Sequence, residues 1–357
     1  MIAEHLGFDS WFQERLDHDR LAGHMAVRVT AVNRNNYLVN GGAGDVPAEI
    51  TGKLRFGTES PLDLPAVGDW VYARVVNSGT MAVIDGILPR RTLLKRKTPG
   101  RRIEFQLIAA NIDTALIMQS LDADYNIRRL ERYLAMANES RIHPVALMSK
   151  SDLLTPEQIE VKRAAVEALM PEIEILAFSN TAGAGLEEVR ALFVPGKTYC
   201  LLGSSGVGKT TLLHHLIGQE LFRTQEVRKK DGKGRHTTSR RQLIVLENGA
   251  MIIDTPGMRE LGNMDISEGL EDTFREITRL AARCRYSDCT HVHEKGCAVR
   301  AAVQNGLVSQ ERYRNYVKMV KESDHYERSY VERRHRDKQF GKFIKSTKKQ
   351  IKKIKNR

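Results

Sequence analysis

The chain has 357 residues, of which 41% are hydrophobic and 28% charged, so it is too long for one average core and two or three domains are expected. Its formal net charge is +12, yet residues 333–357 hold twelve Lys or Arg against one acid, Asp337, which leaves the rest of the chain close to neutral. No run of 18 apolar residues occurs and the first thirty residues carry acids and polar groups throughout, which argues against a membrane span or a secretory leader and for a cytosolic protein.

In chain order, residues 8–22 place Phe8, Trp11, Phe12, Leu16 and Leu21 at roughly helical spacing, predicting an amphipathic arm within residues 1–25. Over residues 26–95 the pattern changes to short β-rich runs, VRVTAV, NYLV, AEITGKLRF, DWVYARVV and MAVIDGIL, punctuated by Gly, Asn and Pro. Five such strands suit a small closed barrel, of which the oligonucleotide-binding (OB) barrel is one form. The segment LLKRKTPGRR, with five basic residues and a Pro-Gly pair, reads as a linker.

Residues 96–265 alternate between apolar strands (DTALIMQSL, HPVALMSK, EILAFS, KTYCLLG, RQLIVLE, GAMIIDTPG) and helices (IRRLERYLAMANES, PEQIEVKRAAVEALM and the stretch from Gly208 to about Ile217). Such alternation predicts an α/β domain with a mostly parallel sheet covered by helices on both faces. Residues 266–332 read as a small helical domain around a cysteine cluster, and 333–357 as a solvated basic tail able to neutralise RNA phosphates.

Gly203-Ser204-Ser205-Gly206-Val207-Gly208-Lys209-Thr210, followed by Thr211, matches the phosphate-loop pattern after an apolar strand and at the start of a helix. Backbone N–H groups would cradle the phosphates, Lys209 would meet the β and γ phosphates, and the Thr210 hydroxyl would bind Mg²⁺. Cys200, in the strand feeding this loop, reads as a small core residue. Asp254 ends the next apolar strand and begins DTPG, where a carboxylate can hold Mg²⁺ and the Gly257 N–H can meet the γ phosphate. Between them, KKDGKGRHTTSRRQ offers Thr237 or Thr238 to close over the metal, as a switch segment does.

Base choice must come from elsewhere. Ser149-Lys150-Ser151-Asp152 resembles the Asn-Lys-x-Asp guanine motif, in which the aspartate accepts two hydrogen bonds from the guanine edge while the lysine stem packs along the ring. Serine replaces the usual asparagine at 149. FSNTAG at 178–183 fits the loop that lines the base, with Ser179 its most typical residue. Both motifs precede the phosphate loop rather than follow it, so the order is circularly permuted. A site assembled from loops at the carboxyl ends of parallel strands tolerates this.

Cys284, Cys289, His291 and Cys297, spaced C-x4-C-x-H-x5-C, offer three thiolates and one imidazole, a closed set suited to one structural Zn²⁺. His293 competes with His291 by proximity.

VGDWV at 67, GSSGVGKTT at 203, KGRHTT at 233, DTPGMRE at 254 and CRYSDCTHVHEKGCAV at 284 together resemble the ribosome small-subunit-dependent GTPase A family over roughly residues 26–330. The resemblance implies an OB barrel, a permuted GTPase domain and a zinc domain, with GTP/GDP and Mg²⁺ as ligands. It also implies GTP hydrolysis stimulated by the small (30S) ribosomal subunit and a late assembly factor that meets ribosomal RNA; a monomer is expected. Met258 stands where many GTPases place a water-positioning glutamine, and the resemblance assigns that role to His236. Two other readings stay open at this point: a phosphate-loop ATPase or small-molecule kinase, and a non-enzymatic RNA-binding module.

Overall fold

After a short amino-terminal arm come five strands, β1 (Met25–Asn33), β2 (Asn36–Asn40), β3 (Asp45–Ile50), β4 (Trp70–Val76) and β5 (Met81–Ile87), of which β5 alternates in burial along its length while β1 is buried through most of its own. The computed structural model describes residues 4–33, 36–58, 60–97, 105–217, 241–254 and 266–324. The strands pair in the ring β1-β2-β3-β5-β4-β1, parallel only between β3 and β5. Closure leaves no open edge around the ring. Val27, Val29, Tyr37, Val39, Val71, Ala82 and Ile84 fill the interior.

Two sequence expectations change here. AEITGKLRF is not one strand, because β3 stops at Ile50 and the Thr51 side chain accepts the Leu54 N–H to cap a helix at Gly52–Gly57. The amino-terminal arm is broken into a 3₁₀ turn (Glu4–Leu6) and two short helices (Ser10–Gln13, His18–Leu21). Its Phe8 stands edge-on to Trp70 at 4.7 Å between ring centroids, and Leu6, Phe8 and Phe12 are buried. Tertiary contact, more than helical periodicity, holds the arm.

LLKRKTPGRR also departs from the linker reading: β6 (Leu93–Lys97) pairs antiparallel with β7 (Phe105–Ala110), and residues 98–104 lie outside the described residues. Then follows a six-stranded layer in the order β10 (Glu174–Phe178), β9 (His143–Ser149), β8 (Thr114–Ser120), β11 (Thr198–Gly203), β13 (Met251–Asp254) and β12 (Arg241–Val245). All are parallel except β12. β8 and β9 are buried almost end to end, as strands covered on both faces must be. The chain winds outward in one direction from β8 and in the other from β11, so the strand order reverses between these neighbours. In open α/β sheets that reversal opens a crevice at the carboxyl ends of the strands.

β1 also pairs with β12, Ala31 opposite Gln242 and Val32 opposite Arg241, so barrel and layer share one hydrogen-bonded sheet. At this junction Arg28 of β1 is buried and donates to the carbonyls of Leu6, Gly68 and Asn111 and to Thr198 Oγ1 at 2.8 Å. Burial pulls its guanidinium down to about 10.

Beyond the layer, helices Ser267–Thr273 and 310–324 pack against helix Ile127–Glu139, and Arg275–Ala281 packs in turn against Ser267–Thr273 and Ala298–Gln304. Glu131 of that helix is fully buried and accepts Arg312 Nη1 at 2.6 Å, Arg128 Nη1 at 2.7 Å and Asn315 Nδ2 at 2.5 Å. A buried carboxylate persists only when matched in this way. Gly269 donates its N–H to Glu139 Oε2 at 2.9 Å and lies so close to the helix that a Cβ would stand 2.0 Å from the Ala135 carbonyl oxygen. Among the described residues no helix is long and apolar enough to cross a membrane. Gly269→Ala is expected to destabilise the docked helical domain by about 2 kcal/mol or more; denaturant unfolding and limited proteolysis around residues 266–324 check it, and a wild-type profile would contradict the close packing.

Candidate nucleotide site and metal centre

The phosphate loop joins the end of β11 to helix Lys209–Ile217 at the crevice. Gly203 has φ 145°, and a Cβ there would lie 2.5 Å from the Met118 carbonyl oxygen, so only glycine admits β8 this close. Val207 is buried and anchors the loop, whereas Ser205, Gly206, Thr210 and Thr211 face solvent. Lys209 Nζ lies 2.7 Å from the Gly203 carbonyl oxygen and 2.5 Å from that of Ser204, which sets the ammonium over the loop's own backbone. The first N–H groups of the helix add positive potential at the same place. Cys200, behind the loop, is fully buried and its thiol is pushed up to about 12 by burial, so it is an inert core residue.

The base-side motifs converge on this loop. Ser149 is fully buried at the end of β9, and its Oγ donates to the Val207 carbonyl at 2.7 Å. The serine thus ties the base motif to the phosphate loop despite lacking an amide. Lys150 takes a left-handed conformation (φ 61°) that turns the chain into the 3₁₀ turn Ser151–Leu153, which carries Asp152. Hydrogen bonding to Ser179, and then to Thr181, outweighs burial and holds the exposed Asp152 carboxyl below its ordinary value.

Ser179 is fully buried and its Oγ accepts the N–H groups of Thr181 and Ala182 at 3.2 and 3.0 Å. The neighbouring Asn180 donates Nδ2 to the Gly208 carbonyl at 3.2 Å, while its buried Oδ1 has no hydrogen-bond partner among the described residues. Residues far apart in sequence therefore meet: Ser149 and Asn180 contact the loop that Gly203 to Thr210 form, and Ser179 and Asp152 stand near them in the chain. Asp254 ends β13, which is β11's other neighbour, and stands opposite Gln242 of β12. Thr210 and Asp254 offer the hard oxygen donors that suit Mg²⁺. His236, Thr237, Thr238, Gly257 and Met258 lie outside the described residues.

Three further residues enter the site. Ser204 Oγ donates to Asp124 Oδ2 at 2.9 Å, Lys150 Nζ stands 2.6 Å from Asp122 Oδ2, and Asn180 contacts Gly208 as above. Asp122 and Asp124 precede the helix cap Asn126 in a loop whose only signal in the sequence is its polarity, so spacing alone did not reveal them.

Ligand atoms of Cys284, Cys289, His291 and Cys297 all lie within 4.8 Å of one another. Cys284 and Cys297 sulfurs are 3.9 Å apart, and each is 3.6 and 3.5 Å, respectively, from His291 Nδ1. Tetrahedral zinc with its usual Zn–S and Zn–N bond lengths has edges of about 3.5–3.8 Å, close to those of the Cys284–Cys297–His291 triangle, and with Cys289 within 4.8 Å the cluster is compatible with a structural Zn²⁺. His293 is exposed and does not join the cluster. His291 sits at φ 63°, a strained region for histidine, and its loop is held by Glu294. That carboxylate accepts the N–H groups of Thr290, Val292 and His293 at 3.0 Å each, and its bond from the Thr290 hydroxyl leads in drawing it down to about 2. Tyr313 Oη donates to the His291 carbonyl at 2.7 Å and ties the loop to helix 310–324. Cys289→Ser is expected to abolish stoichiometric zinc, measured by elemental analysis, and to lose helix signal from the carboxy-terminal domain; full zinc retention would exclude Cys289 as a ligand.

Comparison with known proteins agrees with this geometry. The RsgA GTPase family profile matches residues 87–264. The small ribosomal subunit biogenesis GTPase RsgA 2 of Lactiplantibacillus plantarum is 44% identical over 301 residues, 84% of each chain. The small ribosomal subunit biogenesis GTPase RsgA of Opitutus terrae is 37% identical over 331 residues, 90% of each chain. Among solved structures, YjeQ from Thermotoga maritima aligns with TM-score 0.62 at 26% identity, covering 84% of this chain and 98% of that one. YloQ, described as a circularly permuted GTPase, shares the fold with TM-score 0.61 at 24% identity, covering 87% and 99%. With a phosphate loop placed after its base motifs, a barrel before them and a three-cysteine, one-histidine centre behind, the chain belongs to the RsgA GTPase family.

Proposed function

We propose that this GTP hydrolase acts in biogenesis of the small ribosomal subunit, binding its rRNA through the barrel and zinc domain and using hydrolysis to time its release. The observation that carries this reading is the course of helix Ile127–Glu139. It starts beside the phosphate loop, where Asp124 meets Ser204, and it supports the helical domain through Glu131 and Arg312. A change at the nucleotide thus has a short route to a surface that a large partner can hold. The names of the relatives supply the partner, the small subunit.

In this reading the barrel spans residues 26–95, the GTPase domain 96–265, the zinc domain 266–332, and the basic tail 333–357 adds salt-sensitive RNA affinity. The protein works as a monomer in the cytoplasm, where subunits are assembled. Asp152 and Ser179 select guanine, and Lys209 with the loop N–H groups stabilises charge as water attacks the γ phosphate in line. Thr210 and Asp254 would hold Mg²⁺, which would supply further charge neutralisation. His236 orients the attacking water, a role an imidazole can fill where Met258 cannot.

The test is GTP hydrolysis by the full chain with and without small subunits, alongside large-subunit and ATP controls. Small subunits alone are expected to stimulate the rate at least about tenfold, and His236→Ala to remove most of that gain while GDP affinity is kept. Equal rates with and without small subunits would refute the ribosomal role.

A further inference from the structure

We propose that Asp122 is a positioning residue for nucleotide binding: it holds the Lys150 ammonium so that the lysine stem is set in place along the guanine ring. The proposal rests on the reading of Ser149 to Asp152 as the base motif.

Both ends of Lys150 are fixed in the structure. Its backbone leaves β9 in a left-handed turn immediately after Ser149, which is bonded to the Val207 carbonyl of the phosphate loop. Its Nζ is 2.6 Å from Asp122 Oδ2. Asp122 is itself held, because Oδ1 accepts the Ser120 hydroxyl at 2.7 Å and the Asp124 N–H at 2.9 Å. One oxygen is thus occupied by the aspartate's own loop and the other is turned to the lysine. Lysine stems are otherwise rich in rotamers, and ordering one before the ligand arrives removes an entropy cost from binding. The hydrogen bond from Lys150, followed by that from Ser120, brings the Asp122 carboxyl down to about 2, so this carboxylate is ionised at neutral pH.

Charge balance supports the same role. Asp122 and Asp124 stand in the loop beside a site that must accept a polyphosphate, where lone carboxylates would repel the ligand. Asp124 is matched by Arg129 Nη2 at 2.7 Å and by Ser204 Oγ at 2.9 Å, and Asp122 is matched by Lys150. Removing the lysine alone would leave the Asp122 charge uncompensated near the phosphates. The two deletions should therefore be less than multiplicative in combination.

The experiment measures GDP, GTP and ADP affinity of the full chain by calorimetry, in the wild type and in Asp122→Ala, Asp122→Asn, Lys150→Ala, Asp152→Ala and the Asp122→Ala/Lys150→Ala double variant. Asp122→Ala is expected to weaken GDP and GTP alike by about tenfold, with KM for GTP rising by the same factor. Asp122→Asn, which keeps an oxygen for Ser120 and the Asp124 N–H, is expected to fall between, and it stands in should the alanine variant fail to fold. The double variant should bind GDP no more weakly than Lys150→Ala. Wild-type GDP affinity in both Asp122 variants, or losses that multiply in the double variant, would overturn the proposal. Asp152→Ala separates this from failure of the base pocket itself: an unchanged preference for GDP over ADP there would overturn the motif assignment, and the role of Asp122 with it.

Discussion

Strand β1 belongs to two structures at once, and this constraint shapes the rest of the molecule. Through β2 and β4 it closes the barrel, and through Ala31 and Val32 it extends the GTPase layer at β12. A strand used in this way has little solvent-facing surface, which is why β1 is buried at six successive positions instead of alternating. Its Arg28 is consequently buried as well, and it spends its donors on carbonyls and a hydroxyl drawn from the arm, the barrel and the GTPase layer. Buried donors without such acceptors would be strongly destabilising, so the three segments are locked in one arrangement. The strand it abuts, β12, directly follows residues 218–240, which include His236, Thr237 and Thr238. The barrel is thereby hydrogen-bonded to the strand that emerges from the proposed switch segment.

A second organising element is helix Ile127–Glu139. Its amino-terminal loop reaches the phosphate loop through Asp124 and the base motif through Asp122, and its body carries the buried Glu131. Buried ion pairs add little net stability over apolar packing, but they specify one docking geometry because misalignment leaves a charge unmatched. Arg312 satisfies Glu131 and also Glu276, and its guanidinium lies 4.8 Å from the Phe274 ring centroid. The helical domain is thus fixed to the GTPase layer by direction-sensitive contacts, and within it Cys284, Cys289, His291 and Cys297 gather into one cluster suited to a metal ion.

Much of this was legible in the residues themselves. Continuous apolar runs such as TALIMQS and HPVALMS marked buried parallel strands, because strands covered on both faces need no polar alternation. Glycine and lysine in fixed positions after such a strand marked the phosphate loop, since backbone approach and a cation are what phosphate requires. Three cysteines and a histidine within fourteen residues marked the metal centre, because ligand spacing is local. The permuted order of the motifs was visible as well, for it depends only on their sequence positions.

Elements with weaker local signals were decided by contacts that no window of sequence contains. The arm is two short helices because Phe8 and Phe12 pack on Trp70 at the barrel, and LLKRK is a strand because β7 pairs with it. Ser149 looked like a departure from the guanine motif, yet its hydroxyl reaches Val207, a contact that exists only once β9 and β11 flank β8. Asp122, Asp124 and Glu131 were invisible in the pattern for the same reason: a carboxylate acquires its role from the cations and hydroxyls brought to it in space. Chemistry carried by neighbouring residues, as in the phosphate loop and the cysteine–histidine cluster, could be read along the chain because its groups are adjacent there. How these parts are joined could be read only in three dimensions, because β1 pairing, the Arg28 junction and the Glu131–Arg312 contact each unite residues separated by more than a hundred positions.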